Sequence, residues 1–112
     1  MQPEILKFLY DIRVSCESIF EYIGENRDFD SYLKNKLLRR AVERELEIIG
    51  EACSNLLKID PAIRIDNARK IVDARNWVIH GYDKVDDVII WGIISRDLVI
   101  LQKQVEQLID GK

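Results

Sequence analysis

Apolar residues recur at steps of three and four along four segments of this 112-residue chain. That spacing places apolar side chains along one side of an α-helix, so it restricts the fold to packed helices. The pattern predicts four helices, over residues 3–24, 31–58, 66–80 and 86–110. Gly24 and Gly81 follow the first and third helices, as is common at helix ends, and Pro61 separates the second helix from the third. We therefore predict an all-α fold, a four-helix up-down bundle that forms one domain over residues 1–112.

The predicted last helix is apolar on two sides. Its main apolar row can complete a four-helix core and contains Trp91, Ile94, Leu98, Leu101, Val105 and Leu108. A second row, about a third of a turn away, contains Ile89, Ile93 and Ile100. A helix with two apolar sides usually meets two surroundings. We therefore predict that the second row contacts another subunit and that the protein is a homodimer.

Two charged residues lie on apolar sides of predicted helices. The predicted apolar stripe of the second helix contains Leu38, Ala41, Ile48, Ile49, Ala52 and Leu56. At about 100° per residue, Glu45 projects from the middle of that stripe, and Arg75 lies within the apolar side of the third helix. A buried charge without a partner costs free energy, so we predict that Glu45 and Arg75 form an ion pair. By the same geometry Glu43, Glu47 and Glu51 point elsewhere, toward solvent.

The cysteines, Cys16 and Cys53, both fall inside helical patterns. Cys16 belongs to the apolar stripe of the first helix, which favours a core residue over a nucleophile. The sequence shows neither a signal peptide pattern nor an apolar run of membrane-spanning length, so we expect a cytoplasmic protein with reduced thiols. Two isolated cysteines and one histidine lack the short paired spacings of zinc sites. We therefore expect neither a metal nor a cofactor.

The chain carries 17 basic and 20 acidic residues, which gives a net charge of -3. A polyanion such as RNA is therefore not attracted to the surface as a whole, and its binding would need a local positive region. The densest basic cluster comprises Lys34, Lys36, Arg39, Arg40 and Arg44. This cluster is either such a region or the solvated side of a helix.

The single histidine, His80, lies in the stretch ARNWVIHGY, which spans residues 74–82. At a helix end the unpaired carbonyl groups favour its positive charge, which makes His80 a candidate for proton transfer. The alternative is a structural role, in which the ring caps those carbonyl groups. Asn76 lies one turn before His80 on the same side of the predicted helix, and Trp77 flanks this polar stripe. A tryptophan in that position indicates that another chain or a nucleic acid base covers it.

Arg75, Asn76, His80 and Tyr82 stand in the order R-N-x-x-x-H-x-Y, which resembles the signature of HEPN-domain proteins. A second stretch, RAVERELEIIGEA, resembles the long second helix of the HepT-like branch, the toxin half of MNT–HEPN toxin–antitoxin pairs. Together with the chain length, this resemblance covers nearly the whole sequence. It implies an all-α homodimer that cuts RNA without a metal, with Arg75 and His80 of both subunits meeting at the dimer cleft.

The resemblance also implies a partner and a form of control. A small nucleotidyltransferase encoded next door neutralises members of this branch, in some systems by transferring AMP to the motif tyrosine, here Tyr82. The chain would then be the endoribonuclease toxin of a type VII system, with Arg75, Asn76 and His80 in the catalytic site and Glu45 supporting Arg75.

Two other functions fit the same resemblance. HEPN domains have also been viewed as substrate-binding subunits of nucleotidyltransferases, which would make this chain a nucleotide-binding module without RNase activity. The third interpretation is a scaffold that retains only the fold. At the level of single residues, Arg75 can be a purely structural partner of an ion pair, and Tyr82 can be an ordinary surface tyrosine.

Overall fold

The computed structural model of the chain describes residues 2–25, 27–73 and 87–111. Every regular element in these ranges is helical, which confirms the predicted all-α fold. The elements are α1 (Pro3–Ile23), α2 (Phe29–Lys34), α3 (Lys36–Ile59), α4 (68–73), α5 (Asp87–Gly92), a π-helical turn (Ile93–Asp97) and α6 (Leu98–Asp110). None of these helices is long and apolar enough to cross a membrane.

Helix α1 follows the sequence prediction closely. Pro3 occupies its first turn, where a missing backbone N–H costs nothing. The helix ends at Gly24, whose φ of 70° lies in the left-handed region that favours glycine and whose N–H donates to the Phe20 carbonyl at 2.9 Å. The buried side of α1 packs against both α3 and α6 and contains Ile5, Leu9, Ile12, Ser15, Cys16 and Ile19.

The predicted helix over residues 31–58 is wrong, because the structure has two helices there. Asn35 has an extended backbone conformation, with φ -104° and ψ 92°, and its side chain accepts a hydrogen bond from the Leu38 N–H at 3.0 Å. An asparagine that caps a new helix in this way interrupts the preceding one. The first of the two helices also begins earlier than predicted, because its cap is Asp28, whose carboxylate accepts from the Asp30 N–H.

Helix α3 supplies the central part of the core. Its most deeply buried apolar side chains follow one another at steps of four and three, namely Val42, Leu46, Ile49, Cys53 and Leu56. Burying one such aliphatic side chain contributes about 1.5–3 kcal/mol to stability. Ile49 and Leu56 belong to the stripe predicted from the sequence, but Val42 and Leu46 do not. The true buried stripe is therefore rotated relative to the prediction, toward the side that carries Leu46.

The predicted last helix contains the π-helical turn Ile93–Asp97 between α5 and α6. A π-turn has a wider hydrogen-bonding step than an α-helix, so it shifts the faces of the residues that follow. The main apolar row is confirmed, since Ile94, Leu98, Leu101 and Val105 are buried and Trp91 and Leu108 pack against the core. The second row is wrong at Ile93, which is only 2% exposed.

The other two members of the second row, Ile89 and Ile100, are 42% and 44% exposed. They remain candidates for a subunit contact, and the homodimer remains a prediction.

Helix α4 begins two residues later than predicted. The apolar spacing predicts a core side with Ile71 and Val72 and an opposite, polar side with Arg69 and Asp73. The described part of α4 agrees, since the first two residues are buried and the last two are exposed.

Candidate active site

The motif residues Arg75, Asn76, His80 and Tyr82, together with Trp77, lie outside the described residues. The structure does describe the elements on both sides of that stretch. Helix α4 leads into it and α5 follows it, so the contacts of these two helices set where the chain enters and leaves the candidate site.

A buried carboxylate fixes the start of α4. Asp97, the last residue of the π-helical turn, is only 4% exposed. The side-chain amide of Asn67 donates to Asp97 Oδ1 at 2.6 Å, and Lys70 Nζ lies 3.6 Å from Asp97 Oδ2. Hydrogen bonds to a charged group are stronger than those between neutral groups. Asp97 therefore connects the π-helical turn directly to the start of α4, the helix that leads into the motif.

A second contact fastens the same part of the chain to α6. The Asp66 N–H donates to Gln104 Oε1 at 3.1 Å, while Gln104 Nε2 donates to Asp66 Oδ2 at 3.0 Å. This reciprocal pair uses both ends of the Gln104 amide, which fixes its orientation. The start of α4 is thus held at two points by the last helical segments.

The start of α5 rests on a buried polar cluster. Arg39 of α3 lies 3.8 Å from the Asp87 carboxylate, and the centres of the Tyr32 and Trp91 rings lie 5.1 Å apart with the rings tilted by 41°. Within the described residues, the Tyr32 hydroxyl, Arg39 Nε and Asp87 Oδ1 have no hydrogen-bond partner. Burial, and secondarily the charge of Asp87, raises the pKa of Tyr32 well above its usual range. The cluster ties α2, α3 and α5 together where the chain leaves the motif.

The predicted position of Glu45 is wrong. Glu45 is half-buried on the flank of α3, where it accepts a hydrogen bond from the exposed Tyr22 hydroxyl at 2.9 Å. That hydrogen bond raises the pKa of Tyr22. The rotated stripe of α3 puts Leu46 in the centre of the core and turns Glu45 toward α1. The ion pair of Glu45 with Arg75 remains a prediction, since Arg75 lies outside the described residues.

Glu43 is the carboxylate of α3 that is buried, contrary to the prediction that it points toward solvent. It is 6% exposed and accepts from Arg40 Nη1 at 3.0 Å. The rotation of the stripe explains this difference as well, because Glu43 follows Val42 at the edge of the buried side. The pairing with Arg40 offsets the cost of removing the carboxylate from water.

Both cysteines are core residues, as predicted for Cys16. Burial raises the pKa of Cys53 to about 12, and burial together with the neighbouring Cys53 also raises the pKa of Cys16. Neither thiol ionises near neutral pH, and only the thiolate is a strong nucleophile. Within the ranges described, no three His, Cys, Asp or Glu side chains come together as a metal site would require.

The predicted basic cluster is largely neutralised by neighbouring carboxylates. Arg39 faces Asp87, Arg40 faces Glu43 at 3.0 Å, and Arg44 faces Glu47 at 3.1 Å. Each carboxylate occupies donors that a phosphate would need. Only Lys34 and Lys36 of this cluster form no ion pair with a described residue.

Asp97 and Asn67 are supporting residues that the sequence analysis did not identify. A signal for Asp97 does exist, because it stands three residues after Ile94 and four before Leu101, inside the main apolar row. A carboxylate in such a row indicates a buried partner. Arg39 and Asp87 offer no comparable signal, because they are far apart in the sequence and each lies among other charged residues.

Comparison with known proteins agrees with the helical fold. A family model described as Ribonuclease HepT-like matches residues 12–108, which include the whole motif. The fold is thus that of an all-α HEPN domain. The chain belongs to the HepT-like ribonuclease family.

Two relatives illustrate this similarity. A Methanocaldococcus jannaschii protein named "Putative RNase" is 35% identical over 105 residues, which cover 92% of this chain and 94% of that protein. A Thermococcus cleftensis protein named "Probable ribonuclease HepT" is 33% identical over 105 residues, which cover 90% of this chain and 92% of that protein. No solved structure matches the chain significantly.

Proposed function

We propose that this chain is a metal-independent endoribonuclease, the toxin of a type VII MNT–HEPN toxin–antitoxin system. The observation that carries the proposal is the family match over residues 12–108, which includes Arg75, Asn76, His80 and Tyr82 at the spacing of the HEPN signature. The names of the relatives, which refer to RNases, support the same activity.

The chemistry requires three functions at one phosphate. A base removes the proton of the RNA 2′-hydroxyl, whose oxygen attacks the phosphorus, and an acid protonates the departing 5′-oxygen. Positive charge stabilises the phosphate as it becomes more anionic. One chain has a single histidine, and one imidazole cannot be base and acid at once. A homodimer supplies two copies of His80, so one acts as base and the other as acid, with Arg75 on the phosphate and Asn76 orienting the substrate.

Contacts on both sides of the motif stretch support this mechanism. Asp97 and Gln104 hold the start of α4, and the cluster around Arg39 and Asp87 holds the start of α5. The described chain is therefore anchored on both sides of the motif stretch. Proton transfer depends on donor and acceptor positions within hydrogen-bond reach, so such anchoring is a requirement of the site.

We expect RNA cleavage by the purified chain to persist in EDTA and to leave a 2′,3′-cyclic phosphate end. Attack by the 2′-hydroxyl retains that oxygen on the phosphorus, and no step needs a metal-bound water. The product ends can be identified by mass spectrometry of a short RNA substrate. Cleavage that requires magnesium would refute the mechanism, and intact RNA with tight binding of a nucleotidyltransferase would favour the substrate-binding module instead.

Control by the neighbouring nucleotidyltransferase should act at Tyr82. An AMP group there would place a bulky anion beside His80, where the substrate phosphate binds, and would block it by charge and volume. After incubation with that nucleotidyltransferase and ATP, peptide mass spectrometry should find the adduct on Tyr82 and RNA cleavage should be lost. Tyr10 and Tyr22, which are 42% and 45% exposed, serve as internal controls. An adduct on either of them, or none at all, would contradict this form of control.

A further inference from the structure

The described surface offers two clefts that carry basic side chains, and they differ in charge. The larger, about 230 Å³, lies between α1 and α3 and holds Lys7 and Arg44 together with Asp11, Glu47 and Glu51. Both of its cations are already paired, Lys7 with Asp11 at 2.9 Å and Arg44 with Glu47 at 3.1 Å. A phosphate entering this cleft would meet more carboxylates than free cations, so the cleft does not suit a polyanion.

The second cleft, about 200 Å³, lies between the end of α3 and the start of α4. It is lined by Ser54, Leu57, Lys58, Arg69 and Val72, and none of these lining residues is acidic. Lys58 and Arg69 are exposed, and neither forms an ion pair with a described residue. The half-buried Ser54 adds a hydroxyl that can donate a hydrogen bond. We call this group of five residues the cationic cleft.

The cationic cleft matches the chemistry of a phosphate. A guanidinium presents several N–H donors in a fixed fork that fits phosphate oxygens, and an ammonium adds a compact positive charge. The whole chain has a net charge of -3, and three of the five cations of the densest basic cluster face carboxylates. Two cations that form no ion pair with a described residue, placed around one cleft, give a local positive region of the kind that binding of a polyanion requires.

One cation of the cleft, Arg69, lies on α4, the helix that leads into the motif stretch. Arg69 stands seven residues before Asn76 and eleven before His80. At about 100° per residue these separations are close to two and three full helical turns, so the sequence predicts all three residues on one side of the helix. Seven and eleven residues correspond to about 10 and about 16 Å along a helix axis. An RNA strand bound at the motif would reach the cationic cleft with a phosphate a few nucleotides from the one that is cleaved.

We propose that Ser54, Lys58 and Arg69 bind a backbone phosphate of the RNA substrate, a few nucleotides from the phosphate that is cleaved. The inference rests on the proposed ribonuclease function and gives it a site of substrate positioning. These residues contact the strand through its backbone, so they strengthen binding without selecting a base.

The test is the salt dependence of RNA binding. A fluorescent single-stranded RNA of about 12 nucleotides is titrated by anisotropy with the chain carrying His80→Ala, which slows cleavage so that the RNA stays intact during the measurement. Each phosphate contact on a single strand contributes about 0.7 to the slope of log affinity against log salt. Adding Lys58→Gln and Arg69→Gln should reduce the magnitude of this negative slope by at least about 0.7. The same change should weaken binding about fivefold at about 0.1 M salt.

The matched control removes the two cations of the densest basic cluster that form no ion pair with a described residue, Lys34 at the end of α2 and Lys36 at the start of α3. Lys34→Gln with Lys36→Gln changes the net charge by the same amount, and Lys36 stands 22 residues before Lys58, about 33 Å along the helix axis. We expect this pair to leave the slope almost unchanged. An equal loss in both pairs, or a loss only in the control pair, would overturn the cationic cleft.

Failure of this inference is distinguishable from failure of the proposed function. One outcome is that the unmodified chain cleaves RNA while the salt dependence of binding is the same with and without Lys58→Gln and Arg69→Gln. That result would refute phosphate binding at the cationic cleft and leave the proposed RNase activity standing. If the unmodified chain neither binds nor cleaves RNA, both proposals fall. Thermal unfolding of the Lys58 and Arg69 variants should match that of the unmodified chain, because both side chains are exposed.

Discussion

Replacing His80 with alanine should slow RNA cleavage by roughly 10²–10⁴-fold, the usual contribution of a general acid or base. The loss should be expressed in the rate of the chemical step, because the imidazole moves protons and does not need to hold the substrate. Single-turnover measurements with the enzyme in excess would isolate that step. No other histidine of the chain can take over its role, because His80 is the single histidine in the sequence.

The control for this variant is the state of assembly. Sedimentation of the unmodified chain and of His80→Ala should give the same mass, about twice the 13.1 kDa of one chain, because the substitution leaves the exposed Ile89 and Ile100 unchanged. A monomer in both proteins would refute the shared-histidine mechanism. Undiminished cleavage by a dimeric His80→Ala protein would show that the reaction uses other groups.

Replacing Asp97 with alanine should lower the free energy of unfolding by about 1.5–3 kcal/mol, the contribution of a hydrogen bond to a charged group. The substitution removes the acceptor of the 2.6 Å hydrogen bond from Asn67 and leaves the half-buried amide without that partner. Lys70 is 58% exposed, so the loss of its 3.6 Å contact should add little. Urea denaturation at neutral pH would measure the difference.

A double-mutant cycle separates this hydrogen bond from other effects of the substitution. Asn67→Ala and Asp97→Ala should cost less together than the sum of their separate losses, with a coupling of about 1 kcal/mol or more. Asp97→Asn keeps an oxygen that can accept from Asn67 and should be milder than Asp97→Ala. Asp110→Ala, at an exposed position of α6, should cause no loss. Additive losses at positions 67 and 97 would contradict the role given to Asp97.

The fold class could be predicted from the sequence because the apolar spacing of α1 and α6 is strong. Leu9, Ile12 and Ile19 repeat on one side of α1 with few polar interruptions, and a glycine marks its end. The break at Asn35 could not be predicted in the same way. Asn35 is tolerated inside helices at a modest cost, and only its extended backbone and its bond to Leu38 identify it as a cap.

The face of α3 was harder to predict because this helix carries apolar residues over more than half its circumference. Leu38, Ala41 and Ile48 are apolar yet only partly buried, and they drew the predicted stripe away from Leu46. Packing against α1 and α2 decides which side is covered, and neither contact can be read from local spacing. The predictions for Glu43 and Glu45 were wrong for the same reason.

The supporting side of the candidate site depends on contacts between distant segments. Asp97 meets Asn67 across 30 residues, and Gln104 meets Asp66 across 38 residues. No periodicity links such pairs. The motif residues Arg75, Asn76, His80 and Tyr82 were predicted through the resemblance to HEPN proteins, whereas their supports emerged from the structure.

The π-helical turn Ile93–Asp97 is a place where this helical segment can lose one residue without changing the faces on either side. Its wider turn holds one extra residue, so deleting one residue within it would allow an unbroken α-helix with better local hydrogen bonding. The side chains of α6 would keep their directions relative to α5, and Leu98, Leu101 and Val105 would stay in the core. Converting the turn to α-helix without removing a residue would instead rotate every side chain of α6 by about 100°, and Gln104 would turn away from Asp66.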